Sequence, residues 1–220
     1  MKAIIFDFDG TIVDTEQSEL AAWQHIYAEH ELNLPHELWK HRIGTAPENF
    51  DPFKHLQTLL PAKLERQTIL QRRREKYLEL VAVLTPLPGV LNWIEAAHRL
   101  KIRMCIATAS RRVPVIGFLE QLGFSHYFET VISRDDVTHI KPHPEAYLTA
   151  LTSMGLTAAD AIAIEDSPNG ATAAIAAGLR TIIVPSSATA GMPFPKAYRL
   201  LASLEEITLE EFLAELKSKS

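Results

Sequence analysis

The stretch KAIIFDFDGTIVDT, residues 2–15, decides the fold. Its four apolar residues, Ala3 to Phe6, are too few for a helix and do not alternate with polar ones. They read as a strand buried on both faces, as in a parallel sheet. The run ends at Asp7, and Asp9, Gly10 and Asp14 follow. Asp7 and Asp9 are two apart, so an ideal strand would aim both to one side. Gly10 lets the chain turn away tightly. Asp14 is expected to be a hinge or helix-cap residue.

The same device recurs down the chain. Short apolar runs stand at Met104–Ala107, Val131–Ile132, Ala161–Ile164 and Thr181–Val184. Helical periodicity separates them, at Val90–Leu100, Val113–Leu122, Pro144–Met154 and Pro168–Ala177. Gly123, Gly155 and Gly178 are stop signals, and Ser167 with Pro168 forms a start signal. This alternation predicts a doubly wound α/β domain around a parallel sheet. Residues 15–87 break the pattern. They read as helices over Thr15–His30, His36–Arg42, Asn49–Leu60 and Pro61–Val83, closed by the two prolines of TPLPGV, Thr85–Val90. The α/β core is therefore expected to be discontinuous, residues 1–14 and 88–220, with an all-helical cap at 15–87. PSSATAGMPFP, residues 185–195, reads as a loop.

Composition narrows the function. The chain has 220 residues, is 47% hydrophobic, and carries a formal net charge of −5. Clustered positive charge is what nucleic acid and anionic membranes require, so neither is an expected partner. Arg72, Arg73 and Arg74 sit in a helical pattern with Glu65, Glu75 and Glu79 and read as a solvated face. The single cysteine, Cys105, lies in a strand-like run and reads as a core residue. The N-terminal apolar run is cut by Asp7 far short of a secretory signal, and no stretch reaches the length of a membrane span. The expectation is a cytoplasmic monomer.

In open α/β sheets, ligands bind beyond the carboxyl ends of the strands. Asp7 and Asp9 follow the first strand; Thr108, Ala109 and Ser110 follow the second. Lys141 follows the third past a loop, and Glu165 and Asp166 end the fourth. Each alone is an ordinary turn residue. Together they bring carboxylates, hydroxyls and an amine to one edge, which suits phosphoryl transfer. Asp7, Asp9 and Asp166 are hard oxygen ligands that suit Mg²⁺. A carboxylate can attack phosphorus and a second acid can protonate the leaving alkoxide. A lysine can neutralise the transferring group. No transition-metal site is expected: His25 and His30 are five apart, and His139 and His143 read as surface residues.

DFDGTIVDT (Asp7–Thr15), TAS (Thr108–Ser110), KPHPE (Lys141–Glu145) and EDSPNG (Glu165–Gly170) resemble, in order, the four motifs of the haloacid-dehalogenase superfamily. The helical insert resembles its C1-type cap, and the whole is most similar to the β-phosphoglucomutase-like subgroup. The resemblance implies a Rossmann-like core and a Mg²⁺-dependent phosphatase acting on a small phosphate ester, a sugar phosphate, through an aspartyl-phosphate. It implies Asp7 as nucleophile, Asp9 as acid/base, and Thr108 with Ala109 and Lys141 on the phosphoryl group. Asp7, Asp9 through its carbonyl, and Asp166 would hold the metal, with Glu165 an accessory ligand or an acid behind the ligands.

In such enzymes the cap selects the leaving group, which makes Glu16, Glu19, Trp23, Thr45 and Asn49 candidates, with Trp23 reading as cap core. A β-phosphoglucomutase-type phosphosugar mutase is the alternative. Pro47 and Glu19 stand near positions where the mutase carries an arginine and a histidine, which favours the phosphatase. Lys40, Lys54, Lys63 and Lys76 read as solvated charges, not as a Schiff-base lysine. A phosphoacceptor signalling domain would lack both the cap and the Asp-x-Asp pair after its first strand.

Overall fold

A computed structural model describes residues 1–40 and 50–218. The chain divides into two units, one formed by Met1–Val13 with Thr85–Ser220 and the other by Asp14–Leu84. No helix among the described residues is long and apolar enough to cross a membrane.

The larger unit is built on strands β1 (Ala3–Phe6), β2 (Arg103–Ala107), β3 (Thr130–Ile132), β4 (Ala161–Glu165), β5 (Arg180–Ile183) and β6 (Arg199–Leu200). All pair in parallel, in the order β3-β2-β1-β4-β5-β6. This is the doubly wound α/β order. Its helices are α5 (Val90–Arg99), α6 (Arg112–Gln121), α7 (Glu145–Ser153), α8 (Pro168–Ala176) and α9 (Leu209–Ser218). The central strand β1 has no exposed surface, which is why its sequence shows no polar alternation. Ala3, Ile5, Cys105, Ala107 and Ala163 share a core with Ala146, Tyr147 and Ala150 of α7 and Ala173 and Ala174 of α8. Small residues on both sides let these helices lie close to the sheet. Burial pushes the Cys105 thiol up to about 12, so it is a packing residue and no nucleophile.

Two elements were not expected. The last strand, β6, is only two residues long, and α9 follows it. Leu209, Phe212 and Leu216 anchor α9 with a helical spacing that the strand-helix alternation did not use. Trp93 of α5 fixes the nearby chain by donating its indole N–H to the carbonyls of Leu204 and Ile207, at 3.1 and 2.9 Å.

The smaller unit holds α1 (Thr15–Ala28), α2 (His36–Lys40), α3 (Pro52–Leu59) and α4 (Arg66–Val81). Asp14 caps α1, accepting from the Gln17 N–H at 3.0 Å, and Asp51 caps α3. The last long helix starts at Arg66, not at Pro61. Gln57 holds the preceding turn through Ala62 O and Leu64 N, and Glu65 caps the helix. Trp23, Ile26 and Tyr27 of α1 are buried, so Trp23 belongs to this unit's core. The Tyr27 hydroxyl bonds both Pro52 O and His55 Nδ1 at 2.8 Å.

Candidate active site

The strand order reverses direction between β1 and β4, and the acids stand at that point. Phe6 is level with Ile164 in the β1–β4 ladder, and the Asp7 N–H donates to Ile164 O at 2.9 Å. Asp7 and Asp166 thus leave neighbouring strands side by side. Gly10, at φ +79°, turns the chain beside Asp166. A Cβ there would stand 2.1 Å from Asp166 Oδ2, so only glycine fits.

Lys141 arrives from the segment between β3 and α7. Its ammonium has three hydrogens and meets three acceptors: Asp7 Oδ1 at 2.5 Å, Glu165 Oε1 at 2.6 Å and Ala107 O at 2.8 Å. The side chain is only 6% exposed, so the amine is held in one orientation. Glu165 is wholly buried and saturated. Its Oε1 also receives the Tyr147 hydroxyl at 2.5 Å, and its Oε2 receives the N–H groups of Asp166 and Ser167 and the Ser167 hydroxyl.

Asp9 belongs to a separate set of contacts. Its Oδ2 accepts from the Ser110 hydroxyl at 2.6 Å and the Thr108 hydroxyl at 3.2 Å. Thr108 in turn accepts the Ser110 N–H at 3.0 Å. Asp7, two residues earlier, shares none of these donors; its Oδ2 faces Thr11 Oγ1 at 3.4 Å. Two carboxylates close in sequence therefore sit in different surroundings.

Burial, with Glu165 and Asp9 beside it, pushes the Asp7 carboxyl up to about 8, although Lys141 pulls the other way. Asp166 is raised well above the carboxylate range by burial and by Asp7 and Glu165. For Lys141, burial alone would lower the ammonium, but Asp7 and Glu165 outweigh it and raise it above its ordinary value. Asp7, Glu165 and Asp166 offer carboxylate oxygens within 4.8 Å of one another. With one ammonium among them, the three acids cannot all ionise out of water without cost, which is what raises Asp7 and Asp166. A small dication with a taste for hard oxygen fits both the charge and the donor set.

The sequence-derived residues Asp7, Asp9, Thr108, Lys141, Glu165 and Asp166 thus stand at one sheet edge, with Ala109 exposed between Thr108 and Ser110. Glu16 and Glu19 lie on α1 in the other unit, where Glu19 Oε2 accepts from Arg73 Nη1 at 2.7 Å. Thr45, Pro47 and Asn49 lie outside the described residues. Sequence reasoning missed Tyr147, whose neighbours Ala146, Ala150 and Leu151 make it read as core. It also missed Ser186 and Thr189 in the 185–195 loop. Both are buried; Thr189 donates to Asp166 O at 2.6 Å, and Ser186 Oγ lies 3.1 Å from Thr189 Oγ1. Gly170 was part of a motif with no stated role. A Cβ there would stand 1.9 Å from Glu165 Oε1.

Comparison with known proteins gives the same family. The family model described as haloacid dehalogenase-like hydrolase matches residues 4–184. YhcW of Bacillus subtilis, provisionally named a phosphatase, is 38% identical over 220 residues, covering 100% of both chains. A β-phosphoglucomutase of the same organism is 28% identical over 221 residues, covering 96% of this chain and 93% of that protein. Among solved structures, a CbbY mutant from Rhodobacter sphaeroides in complex with xylulose-(1,5)bisphosphate superposes with a TM-score of 0.75. It is 28% identical, with 94% of this chain and 96% of that one covered. The chain belongs to the haloacid dehalogenase-like hydrolases.

Proposed function

From that family membership, we propose that the chain is a phosphatase of a small phosphorylated metabolite, a sugar phosphate, working through an aspartyl-phosphate on Asp7. One observation carries the reading. Asp7 is held by an oriented ammonium, while Asp9 hangs on a separate pair of hydroxyls. A lone acid pair serving a turn would need neither.

In this mechanism an Asp7 oxygen attacks phosphorus and the bond to the ester oxygen breaks. Asp9 delivers its proton to the leaving alkoxide. Asp9 then takes a proton from water, and that water attacks the phosphorus of the aspartyl-phosphate. Inorganic phosphate leaves and the Asp7 carboxylate is restored. Lys141 offsets the charge on Asp7 and on the phosphoryl oxygens. Thr108 and the backbone at Ala109 hold the phosphoryl group. Asp7, Asp166 and the Asp9 carbonyl would hold Mg²⁺, which when bound supplies charge neutralisation at the phosphoryl oxygens. Of the two readings of Glu165, the contacts favour an acid behind the ligands: both its oxygens already serve Lys141, Tyr147 and backbone N–H groups. Glu16, Glu19 and Thr45 remain the proposed contributors to leaving-group selection.

Asp7→Asn tests the reading. It keeps the side-chain shape but removes the nucleophile, so phosphate release should fall by about a thousandfold or more. Turnover retained in pure, folded Asp7→Asn protein would sink the assignment. A mutase reading is supported by the β-phosphoglucomutase relative. Incubation with a hexose 1-phosphate separates the two: free phosphate marks the hydrolase, a hexose 6-phosphate the mutase.

A further inference from the structure

The segment between β3 and α7 carries Lys141 inward and two imidazoles outward. His139 and His143 lie two residues to either side of Lys141, with side chains 62% and 50% exposed. Their ring centroids are 4.6 Å apart. Glu145, the first residue of α7, faces both rings. Its Oε2 is 2.8 Å from His139 Nδ1 and 3.8 Å from His143 Nδ1. The carboxylate is oriented by the backbone, through Thr138 N–H to Oε1 at 2.7 Å and His139 N–H to Oε2 at 2.9 Å. The Glu145 N–H donates to His143 Nδ1 at 3.3 Å, so this nitrogen is an acceptor, and an ion bound to it would replace that backbone hydrogen bond.

A surface ion pair needs one histidine. Here two imidazole nitrogens and a carboxylate oxygen lie within 4.8 Å of one another. Ligands bound to one ion at about 2.0–2.2 Å stand about 3–3.5 Å apart, so small side-chain rotations close the set. We propose that His139, His143 and Glu145 form a second metal site, which takes a transition-metal dication of the zinc class with water completing the shell. Two imidazoles and one carboxylate are the donor set of open zinc sites. They are a poor match for Mg²⁺, which prefers oxygen alone. The two clusters of this unit therefore select different ions: an all-oxygen set at the sheet edge and a nitrogen-rich set on the surface. Where His139 Nδ1 carries a proton toward Glu145, the ring takes its other tautomer, with that proton on Nε2, as the ion binds Nδ1. A bound ion ties both flanks of Lys141 to the start of α7. The site stands whether or not the phosphatase reading holds.

The test is a Zn²⁺ titration by calorimetry on the full chain in saturating Mg²⁺, with the wild type, His139→Ala, His143→Ala, the double variant and Asp166→Asn. Both histidines are exposed, and melting curves without zinc should show every histidine variant folded. The expected result is one equivalent of Zn²⁺ on the wild type and on Asp166→Asn. Affinity should be weakened at least about tenfold by either single histidine change and lost in the double variant. Binding by the double variant as tight as by the wild type would overturn the proposal. So would loss of the Zn²⁺ site in Asp166→Asn, which would place the ion at the sheet edge.

Discussion

The Tyr147 hydroxyl donates to Glu165 Oε1 at 2.5 Å, the same oxygen that receives the Lys141 ammonium at 2.6 Å. The ammonium also lies 5.0 Å from the centroid of the Tyr147 ring. Tyr147 therefore supports Lys141 twice, by neutral contact with its charge and by fixing the acid that aims it. Tyr147→Phe keeps the ring and removes one donor to a buried carboxylate. Stability should fall by about 1–2 kcal/mol, because Lys141 still covers that oxygen. Activity should drop a few-fold through kcat with KM unchanged. Urea unfolding and steady-state phosphate release check both, and an unchanged unfolding midpoint would show that the hydroxyl is idle.

The raised acids give a pH dependence with a definite sign. Asp7 lies at about 8 in the native protein against an ordinary 3.8, for the burial and like-charge reasons above. Between those values the native state holds a proton that the unfolded chain has released, so stability declines as pH rises through that window. Asp166 is raised and acts in the same direction. Lys141, raised from 10.5, loses its contribution only at higher pH. The lowered acids Glu145 and Asp160, both at about 2, act oppositely but below about pH 4. Protein in EDTA should therefore melt lower at pH 8 than at pH 5.5. Mg²⁺ favours the ionised acids, so it should raise the melting temperature more at pH 8. Equal gains at both pH values would argue against a dication among these acids.

Much of this was legible because buried strands cannot carry acids for nothing. Asp7, Asp9 and Asp166 interrupt apolar runs, and interrupted runs show where each strand ends. Parallel topology then sends all those ends to one edge, so the sequence order alone gathers the site. The unread parts share a physical reason. Tyr147 sits on a fully buried helix face, where one hydroxyl does not alter the hydrophobic pattern. Ser186 and Thr189 carry turn composition, and only the folded chain brings them to Asp166. His139 and His143 lie on an irregular segment ahead of α7, where no 3.6-residue spacing links them to Glu145 at the helix start.

Gly170 offers a test of how tightly Glu165 is held. Its missing Cβ would stand 1.9 and 2.0 Å from the two Glu165 oxygens, and Glu165 has no exposed surface into which to retreat. Gly170→Ala should destabilise the protein by about 1–3 kcal/mol and lower activity by dragging Lys141 off Asp7. Gly117 is the control. It also lies in a helix, and nothing stands within 4 Å of its Cβ position. Gly117→Ala should be neutral or stabilising by up to about 1 kcal/mol. Equal effects at the two sites would remove the steric argument and leave only helix propensity.

Glu19 and Arg73 separate two uses of the same acid. Their side chains are 18% and 23% exposed and meet at 2.7 Å, while the Arg73 guanidinium lies 5.8 Å from the Trp23 ring centroid. An ion pair this sheltered couples its partners more than a fully exposed one. Glu19→Ala and Arg73→Ala should each lower stability by about 1 kcal/mol, Arg73→Ala by more because Trp23 loses its cover. The double variant should lose less than the two losses combined, by about 0.5–1 kcal/mol. Tryptophan fluorescence during urea unfolding reads all three. If Glu19 also serves leaving-group selection, Glu19→Ala should raise KM while Arg73→Ala does not. If KM rises alike in both, the acid acts by shaping α1 and not by touching substrate.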